Sequence, residues 1–276
     1  MTTPFALTPF APTLLLHRVD LGTYARLCRQ QDFTFFFRDL TNQFAQQGER
    51  IIHLWEDVEQ QKPAVVASRL AALQGQSIRI PGRLTKARRI DKATAMAFLD
   101  EHHLQVALPG KVRYGLYLPE QYYRVLPAVG SDTYLANRPT GELLLAVATF
   151  AQPRTQLRDG QPHRSAELLR VASRIGTTVV GGLDKLVKTY LTNHPADDLM
   201  TYADRDWSDG ASYRKLGFER VGETPPQQFW LRPDEGIRYV PGRLPIPINQ
   251  TNAIEYGYIP IYNTGSYKFV RKSSHP

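Results

Sequence analysis

The segment from Glu167 to Phe218 constrains the fold of this chain more than any other part. Glu167-Leu-Leu-Arg-Val-Ala-Ser is apolar enough for a buried strand, and Gly181-Gly182 stands where an extended run gives way to an amphipathic stretch. Tyr202 to Ser208 indicates a second strand and its end, and Tyr213 to Phe218 indicates a short helix. The predicted order is strand, turn, helix, strand, helix, which is typical of a sheet packed against helices.

The paired glycines predict an anion-binding turn. Backbone N–H groups converge at the positive end of a helix, and that end favours a phosphate group. The residues predicted to hold a cofactor phosphate there are Thr177, Thr178, Val179, Val180, Gly181, Gly182 and Lys185. The alternative is a tight strand-to-helix turn with an exposed lysine, which the glycines alone would also explain.

Two motifs in this segment resemble the GNAT family of N-acetyltransferases. Tyr213-Arg-Lys-Leu-Gly-Phe218 is similar to the Tyr-x-Lys-x-Gly-Phe signature in the last helix of that family. Thr177-Thr-Val-Val-Gly-Gly182 departs from the family loop, which begins with Gln or Arg. The resemblance implies an α/β (α+β) fold, with a GNAT-like mixed central sheet flanked by helices and a small N-terminal α/β extension. It also implies acetyl-CoA or another acyl-CoA as cofactor.

Further motifs resemble a divergent branch of that fold. The branch is the C-terminal domain of certain phage homing-endonuclease-like proteins and, more remotely, the phage Mom protein that modifies adenine in DNA. The similar stretches are Glu167–Arg170, Thr177–Gly182, Tyr202–Ser208 and Tyr262–Lys268. This resemblance implies that the acyl acceptor is a nucleic-acid base or a similar amine.

Acyl transfer to an amine needs a base for the attacking nitrogen and an acid for the departing thiolate. Tyr213 falls where the family places a tyrosine that protonates the thiolate, and its alternative role is a packed aromatic. Asp204 is the first base candidate because it ends a predicted strand, although it could instead pair with Arg205. Glu167 is the second base candidate and His103 is the third. The alternative for His103 is a helix-end histidine without a chemical role.

A formal net charge of +8 and a pI near 9.6 favour partners that carry phosphate. We therefore predict binding to nucleic acid, with DNA favoured. The predicted contacts are Arg83, Lys86, Arg88, Arg89, Arg154 and Arg205. A solvated, charged edge strand is the alternative for residues 79–92. A non-catalytic nucleic-acid-binding module also stays open as the function of the chain.

Several sequence features argue against disulfide-bonded, membrane-spanning and metal-dependent proteins. Cys28 is the single cysteine, which excludes an internal disulfide, and no apolar run approaches the ~18 residues of a membrane span. The sequence therefore predicts a cytoplasmic protein. Glu56 and Asp57 invite a divalent-ion nuclease site, but we interpret them as first-turn acids of a helix that runs to Leu73. No metal site is predicted.

The predicted organisation has three parts. Residues 1–75 form an extension that resembles the remnant of a nuclease-like region, 76–235 the acyltransferase-like domain, and 236–276 a Pro-rich aromatic tail packed on it. A helix begins after Asp91, and residues 111–118 and 142–150 form a hairpin. The segment 151–164 is polar and basic and is a candidate border of the active cleft. The long link 119–141 is predicted to be an exposed functional loop.

Overall fold

The computed structural model describes residues 2–127 and 140–273, so most of the predicted loop at 119–141 lies outside the described residues. The chain divides into two compact units. Unit 1 comprises Met1–Pro63, Ala203–Arg214 and Arg220–Lys268. Unit 2 comprises Ala64–Tyr202, Lys215–Glu219 and Phe269–Pro276.

The strands are β1 (Ala6–Ala11), β2 (Leu14–Val19), β3 (Arg50–Trp55), β4 (Ile78–Pro81), β5 (Lys86–Arg89), β6 (Val112–Pro119), β7 (Glu142–Phe150), β8 (Arg154–Arg158), β9 (Gln161–Ser173), β10 (Thr177–Val180), β11 (Asp198–Asp204), β12 (Glu219–Glu223), β13 (Gln228–Leu231), β14 (Arg238–Tyr239), β15 (Ile259–Tyr262) and β16 (Ser266–Lys272). The α-helices are α1 (Leu21–Leu27), α2 (Phe36–Gln46), α3 (Glu56–Gln61), α4 (Pro63–Leu73), α5 (Lys92–His102), α6 (Gly182–Asn193) and α7 (Ala211–Arg214). Short 3₁₀ turns cover Gly82–Leu84, Glu120–Val125 and Pro241–Arg243.

Unit 1 contains two three-stranded sheets. In one, β2 pairs with β1 antiparallel and with β3 parallel, and in the other β13 lies between β14 and β15. Burial of large aromatic side chains supplies much of its apolar core. The aromatic members of this core are Phe5, Tyr24, Phe33, Phe37 and Trp55.

Unit 2 is built on a mixed sheet with the strand order β11-β9-β7-β6-β5. Strands β9 and β11 are parallel, and the other neighbours are antiparallel. Helix α5 packs on this sheet through Phe98 and Leu99, and Tyr190 of α6 stacks on Phe150 with ring centroids 3.9 Å apart. This is the predicted α+β fold with a multi-strand central sheet flanked by helices.

Two local predictions in unit 2 are confirmed. Helix α5 begins after Asp91, whose Oδ1 accepts a hydrogen bond from the Thr94 N–H at 2.8 Å. Strands β6 and β7 form the predicted antiparallel pair, from Val112–Phe150 to Pro119–Glu142, with a register shift between Leu116 and Tyr117. N-capping by aspartate and runs of residues that are apolar at alternating or nearly all positions were sufficient signals for these elements.

In the polar and basic segment 151–164, β8 pairs with the start of β9 around the turn at Asp159-Gly160. Two local predictions are wrong. The helix expected from Glu56 to Leu73 is two helices, because Pro63 cannot continue the hydrogen bonding of α3. The helix expected at Tyr213–Phe218 ends at Arg214, and Gly217 adopts a φ of 78°. Among the described residues, no helix has the length and hydropathy required to traverse a bilayer.

Candidate functional site

The predicted cradle has the form of a strand followed by a two-glycine turn. Thr177, Thr178, Val179 and Val180 form β10, which pairs with β4 in parallel. Helix α6 begins directly after Gly181, which has φ 75° and ψ 5° in the left-handed region. Glycine adopts this conformation without a steric penalty. An α-helix leaves its first N–H groups without intrahelical partners, and the predicted binding of an anion at this helix start stays a prediction.

A third glycine, Gly82, packs against this turn. A Cβ added to Gly82 would lie 2.6 Å from the carbonyl oxygen of Val180 and 3.2 Å from the nitrogen of Gly182. A Cβ added to Gly182 would lie 2.8 Å from the Cβ of Val179. Positions 82 and 182 therefore require glycine for packing, whereas Gly181 has nothing within 4 Å of an added Cβ.

The ammonium group of Lys185 contacts backbone carbonyls. Its Nζ donates to the carbonyl oxygen of Gly82 at 3.1 Å and to that of Thr85. These bonds fix the turn at Gly82–Leu84 against α6. The predicted contact between Lys185 and a cofactor phosphate stays a prediction. Arg83 lies in the same turn, and its side chain is exposed.

The pairing of β9 with β11 stops before either strand ends. Their ladder runs from Ser165–Asp198 to Leu168–Thr201, whereas β9 itself continues to Ser173. In the described part of the chain the ladder ends at that last pair, where the Thr201 hydroxyl donates to the Leu168 carbonyl at 3.0 Å. Glu167 lies in the paired part, opposite Met200, and is half-buried.

Asp204 belongs to unit 1, and the structure places a second carboxylate beside it. Asp204 Oδ1 accepts a hydrogen bond from the Asp206 N–H at 3.0 Å. The Asp206 side chain is buried, and its Oδ1 accepts from the N–H of Thr264 at 2.8 Å and from the Thr264 hydroxyl. Burial, together with the negative charge of Asp204, raises the pKa of Asp206 to about 7. Asp206 was not predicted from the sequence, because its partner Thr264 is distant in the sequence.

Asp57 forms a two-bond ion pair in unit 1. Arg238 donates from Nε to Asp57 Oδ2 at 2.6 Å and from Nη2 to Asp57 Oδ1 at 2.8 Å. Glu56 accepts from the Leu21 N–H at 2.8 Å and stands with Asp57 in the first turn of α3. Within residues 2–127 and 140–273, no group of three or more His, Cys, Asp or Glu side chains is arranged to hold a metal ion.

Tyr213 and His103 lie at helix ends. Tyr213 is half-buried on the short helix α7 of unit 1, and its N–H donates to the Gly210 carbonyl at 3.0 Å. His103 follows the last residue of α5 in unit 2, and its Nδ1 accepts from the Gln105 N–H at 3.0 Å. Their predicted roles as acid and base stay predictions.

The predicted nucleic-acid contacts have different environments. Lys86, Arg88 and Arg89 are exposed on β5, at the edge of the unit 2 sheet. Arg88 forms an ion pair with Glu142 and lies 4.1 Å from the centre of the Tyr117 ring. Arg154 is exposed on β8.

Arg205 is an exception, because its side chain is fully buried in unit 1. It donates to Asn42 Oδ1 at 2.5 Å and its guanidinium lies 4.6 Å from the centre of the Tyr267 ring. This burial does not support the predicted nucleic-acid contact.

The interior of unit 1 contains a pair of histidines that the sequence analysis also missed. His17 on β2 and His53 on β3 are fully buried, and their Nδ1 atoms are 2.8 Å apart. His17 Nε2 contacts the hydroxyl of Thr3 at 2.6 Å, and His53 Nε2 contacts that of Thr41 at 2.8 Å. Burial lowers the pKa of His17 to about 4, and burial and the charge of His17 lower that of His53. Both imidazoles are therefore neutral at pH 7.

Comparisons with known proteins give weak structural similarities. No protein-family model matches the chain, and no curated protein gives a significant match. A histone acetyltransferase HPA2 and related acetyltransferase from Corynebacterium glutamicum is similar with a TM-score of 0.27 and 14% identity, over 49% of this chain and 60% of that one. The match thus spans less than two thirds of that protein.

Two further solved structures show similarity of the same order. A chain of the NatC complex bound to Gag peptide and CoA has a TM-score of 0.32 and 11% identity, over 69% of this chain and 99% of that one. A chain of the KacTA–DNA complex has a TM-score of 0.30 and 19% identity, over 50% of this chain and 86% of that one. Identity and TM-score are low in all three cases, so the residues described above are the basis for a functional conclusion.

Proposed function

We propose that the chain is an acyl-CoA-dependent N-acyltransferase whose acceptor is a nucleic-acid base or a similar amine. The observation that carries the proposal is the Gly181-Gly182 turn that opens α6. The turn lies in the unit whose β9–β11 ladder ends before β9 does. The Tyr213–Phe218 motif, which resembles the GNAT signature, supports the same assignment.

The proposal assigns a candidate residue to each group that the reaction requires. First-turn N–H groups of α6 would hold the cofactor diphosphate, because the helix dipole favours negative charge there. A bound acyl-CoA would supply an activated thioester. One of the candidates Asp204, Glu167 and His103 would accept the proton of the attacking amine. Tyr213 would donate its phenolic proton to the departing thiolate.

The choice of acceptor rests on charge and on the motifs that resemble phage proteins. The net charge is +8, and β5 presents Lys86, Arg88 and Arg89 to solvent. Phosphates neutralised by such side chains release counterions, which favours nucleic acid over a small neutral amine. DNA is the acceptor favoured by the resemblance to the Mom protein.

Calorimetric titration with acetyl-CoA tests the cofactor site, and Gly181 offers a matched pair of variants. Asparagine and aspartate have the same shape and both tolerate the left-handed region, but only aspartate adds a negative charge at the start of α6. We expect Gly181→Asp to weaken acetyl-CoA binding about tenfold relative to Gly181→Asn, because the added carboxylate repels the diphosphate. Gly182 is unsuitable, since any side chain there would meet Val179.

Two outcomes of this titration would contradict different parts of the proposal. Equal affinities of the two variants for acetyl-CoA would show that the diphosphate does not bind at the start of α6. If the unaltered protein gives no heat with acetyl-CoA, CoA or a longer acyl-CoA, the acyltransferase proposal fails as a whole.

A non-catalytic nucleic-acid-binding module is the second candidate. It is favoured by the Lys185 ammonium, which bonds to the carbonyls of Gly82 and Thr85 and so has a structural role without any cofactor. It is also favoured by the exposed basic strand β5. This candidate predicts duplex DNA binding that is unchanged in Gly181→Asp and Tyr213→Phe. It also predicts that mass spectrometry finds the same nucleosides in DNA from cells with and without the protein. A modified base that disappears with Tyr213→Phe would exclude it.

A further inference from the structure

Strands β8 and β9 of unit 2 form a two-stranded arm, residues 154–165. Asp159 and Gly160 turn the chain between the two strands with φ values of 52° and 75°. Positive φ at both residues of a two-residue Asp-Gly turn gives the twist that matches two paired strands. In the described part of the chain, β9 pairs with β11 only from Ser165 and with β7 only from Leu168. The arm therefore extends beyond the central sheet as a hairpin of its own.

Asp198, at the start of β11, holds one face of the arm. Its Oδ2 lies 2.8 Å from His163 Nε2 and 3.5 Å from Arg158 Nη1. Its Oδ1 accepts a hydrogen bond from the Ser165 hydroxyl at 2.5 Å. Side chains alternate between the two faces along a strand, and paired residues share a face. The three groups that contact Asp198 therefore lie on one face, which is attached to β11 and sets the direction of the arm.

The opposite face of the arm is exposed. It carries Thr155 and Leu157 of β8 and Pro162 and Arg164 of β9. Leu157 pairs with Pro162, next to the closing pair of the hairpin, and is 78% exposed. The two apolar side chains of the arm thus lie side by side near its tip and in water. They add nothing to the core of unit 2, because apolar surface stabilises a fold only where it is removed from water.

Negative charge compensates part of the positive charge of the arm. Its three arginines are accompanied by Asp159 in the turn. Asp198 lies within 3.5 Å of Arg158. Asp197 accepts a hydrogen bond from the main-chain N–H of Arg164 at 2.6 Å. Net charge therefore does not select the partner of the arm, and the positions of its arginines decide.

Arg154 and Arg164 have exposed guanidinium groups without an ion-pair partner among the described residues. One belongs to each strand, and both lie behind the apolar pair as seen from the tip. At about 3.4 Å per residue, Arg154 stands about 10 Å behind Leu157, and Arg164 about 7 Å behind Pro162. An apolar tip with one guanidinium behind it on each strand is complementary to a groove with base edges on its floor and phosphates on both rims.

Groove dimensions decide which nucleic acid and which groove the arm fits. The major groove of B-DNA is about 12 Å wide and admits a two-stranded β-ribbon, whereas the minor groove is only about 6 Å wide. The major groove of A-form RNA is too narrow for side chains to read. The cytosine amino group in the major groove of DNA is also a donor that the Asp159 carboxylate can accept from. These features favour the major groove of duplex DNA.

We infer that the β8–β9 arm binds in the major groove of duplex DNA, with Leu157 and Pro162 against the base edges and Arg154 and Arg164 on the phosphates of the two rims. The inference rests on the proposed function for nucleic acid as the acceptor. It adds the part of unit 2 that holds this acceptor, and it does not depend on acyl-CoA.

Fluorescence anisotropy of a labelled DNA duplex, at several salt concentrations and without acetyl-CoA, tests the tip. We expect Leu157→Gln to weaken binding about fivefold, because the apolar contact with the base edges is lost. The slope of log affinity against log salt should stay the same, since no charge is removed. Val106→Gln is the control, because Val106 belongs to the same unit and is 81% exposed. It should bind like the unaltered protein.

The same titrations test the arginines. Arg154→Gln and Arg164→Gln should each reduce the salt slope by about one, because each removes one phosphate contact. Arg232→Gln loses the same charge from a side chain paired with Asp234 and Glu235, and it should leave the slope unchanged. Equal slopes in all three variants would overturn the assignment of the phosphate contacts to the arm.

The choice of groove has its own test. A duplex RNA of the same sequence should bind about tenfold more weakly, because its major groove excludes the arm. Netropsin, which fills the minor groove of A·T-rich DNA, should not displace the protein. Equal affinity for the two duplexes, or displacement by netropsin, overturns the major-groove assignment.

The remaining outcomes separate the arm from other partners and from the proposed function. The inference is overturned if the unaltered protein does not bind DNA or if Leu157→Gln binds like Val106→Gln. A dimer in sedimentation that Leu157→Gln dissociates, with unchanged DNA binding, would assign the tip to a second copy of the chain and also overturn it. Arm-dependent DNA binding without any heat from acetyl-CoA would refute the acyltransferase and keep the arm.

Discussion

The largest single-residue effects on the free energy of unfolding that we expect in unit 1 come from buried charges. In Arg238→Ala, Asp57 would stay buried without its cation, and such a loss costs about 3–5 kcal/mol in the free energy of unfolding. Arg18→Ala is the control, because the Arg18–Glu59 pair is exposed and such pairs contribute at most about 1 kcal/mol. Urea unfolding measures both. Losses of similar size in the two variants would contradict this description of the Asp57–Arg238 pair.

The histidine pair makes stability depend on pH. In the unfolded chain His17 titrates near 6.5, whereas in the folded chain its pKa is about 4. Below pH 6.5 the unfolded state therefore binds more protons, and the stability contributed by a neutral His17 is lost as the pH falls from 6.5 to about 4.

The variant His17→Gln removes this titration but can still hydrogen-bond. As the pH is lowered from 6.5 to about 4, we expect the free energy of unfolding to fall more steeply for the unaltered protein than for His17→Gln. Between its ordinary pKa and about 7, Asp206 makes the free energy of unfolding change with pH in the opposite direction. Because Asp206 is present in both proteins, its contribution cancels in the difference between them. Parallel pH curves for the two proteins would show that His17 is not buried neutral.

At the scale of elements, the contact between the Gly82 turn and the start of α6 is the most sensitive to added volume. Gly82→Ala would place a methyl group 2.6 Å from a backbone oxygen, which cannot move as a flexible side chain can. We expect a loss of about 1–3 kcal/mol in the free energy of unfolding. Gly222→Ala is the matched control, with nothing within 4 Å of its Cβ, and its effect should stay within about 0.5 kcal/mol. Equal effects would contradict the packing of Gly82.

Elements with local signals were predictable from the sequence. The cap at Asp91 and the apolar residues Ala95, Phe98 and Leu99 identify α5, and nearly continuous apolar runs identify β6 and β7. The order of strand, glycine turn and helix at β9 to α6 was also visible, with β10 as the extended run before the glycines. Short-range hydrogen bonds and periodic burial determine such features.

Features that depend on distant partners were not predictable. The polar segment at β8 lacks an apolar face and is a strand because it pairs with β9. The requirement for glycine at 82 arises from the parallel pairing of β4 with β10. The shared burial of His17 and His53, and that of Asp206 and Thr264, likewise depends on contacts between segments far apart in sequence.

At the scale of the whole molecule, the excess of basic residues predicts salt-dependent binding to duplex DNA. Arg89 is exposed on the edge strand β5, and Arg89→Gln should reduce the slope of log affinity against log salt by about one. Arg232→Gln is the control with the same loss of charge, because Arg232 pairs with Asp234 and Glu235. Equal changes in slope for both variants would show that net charge, and not β5, governs DNA binding.

The central claim is that the start of α6 binds the diphosphate of an acyl-CoA. Amide NMR of the labelled chain during titration with acetyl-CoA observes these N–H groups directly. We expect saturable shifts of the Gly181, Gly182 and Leu183 amides, which Gly181→Asp suppresses and Gly181→Asn retains. Saturating acetyl-CoA that leaves these three amides unmoved would contradict it.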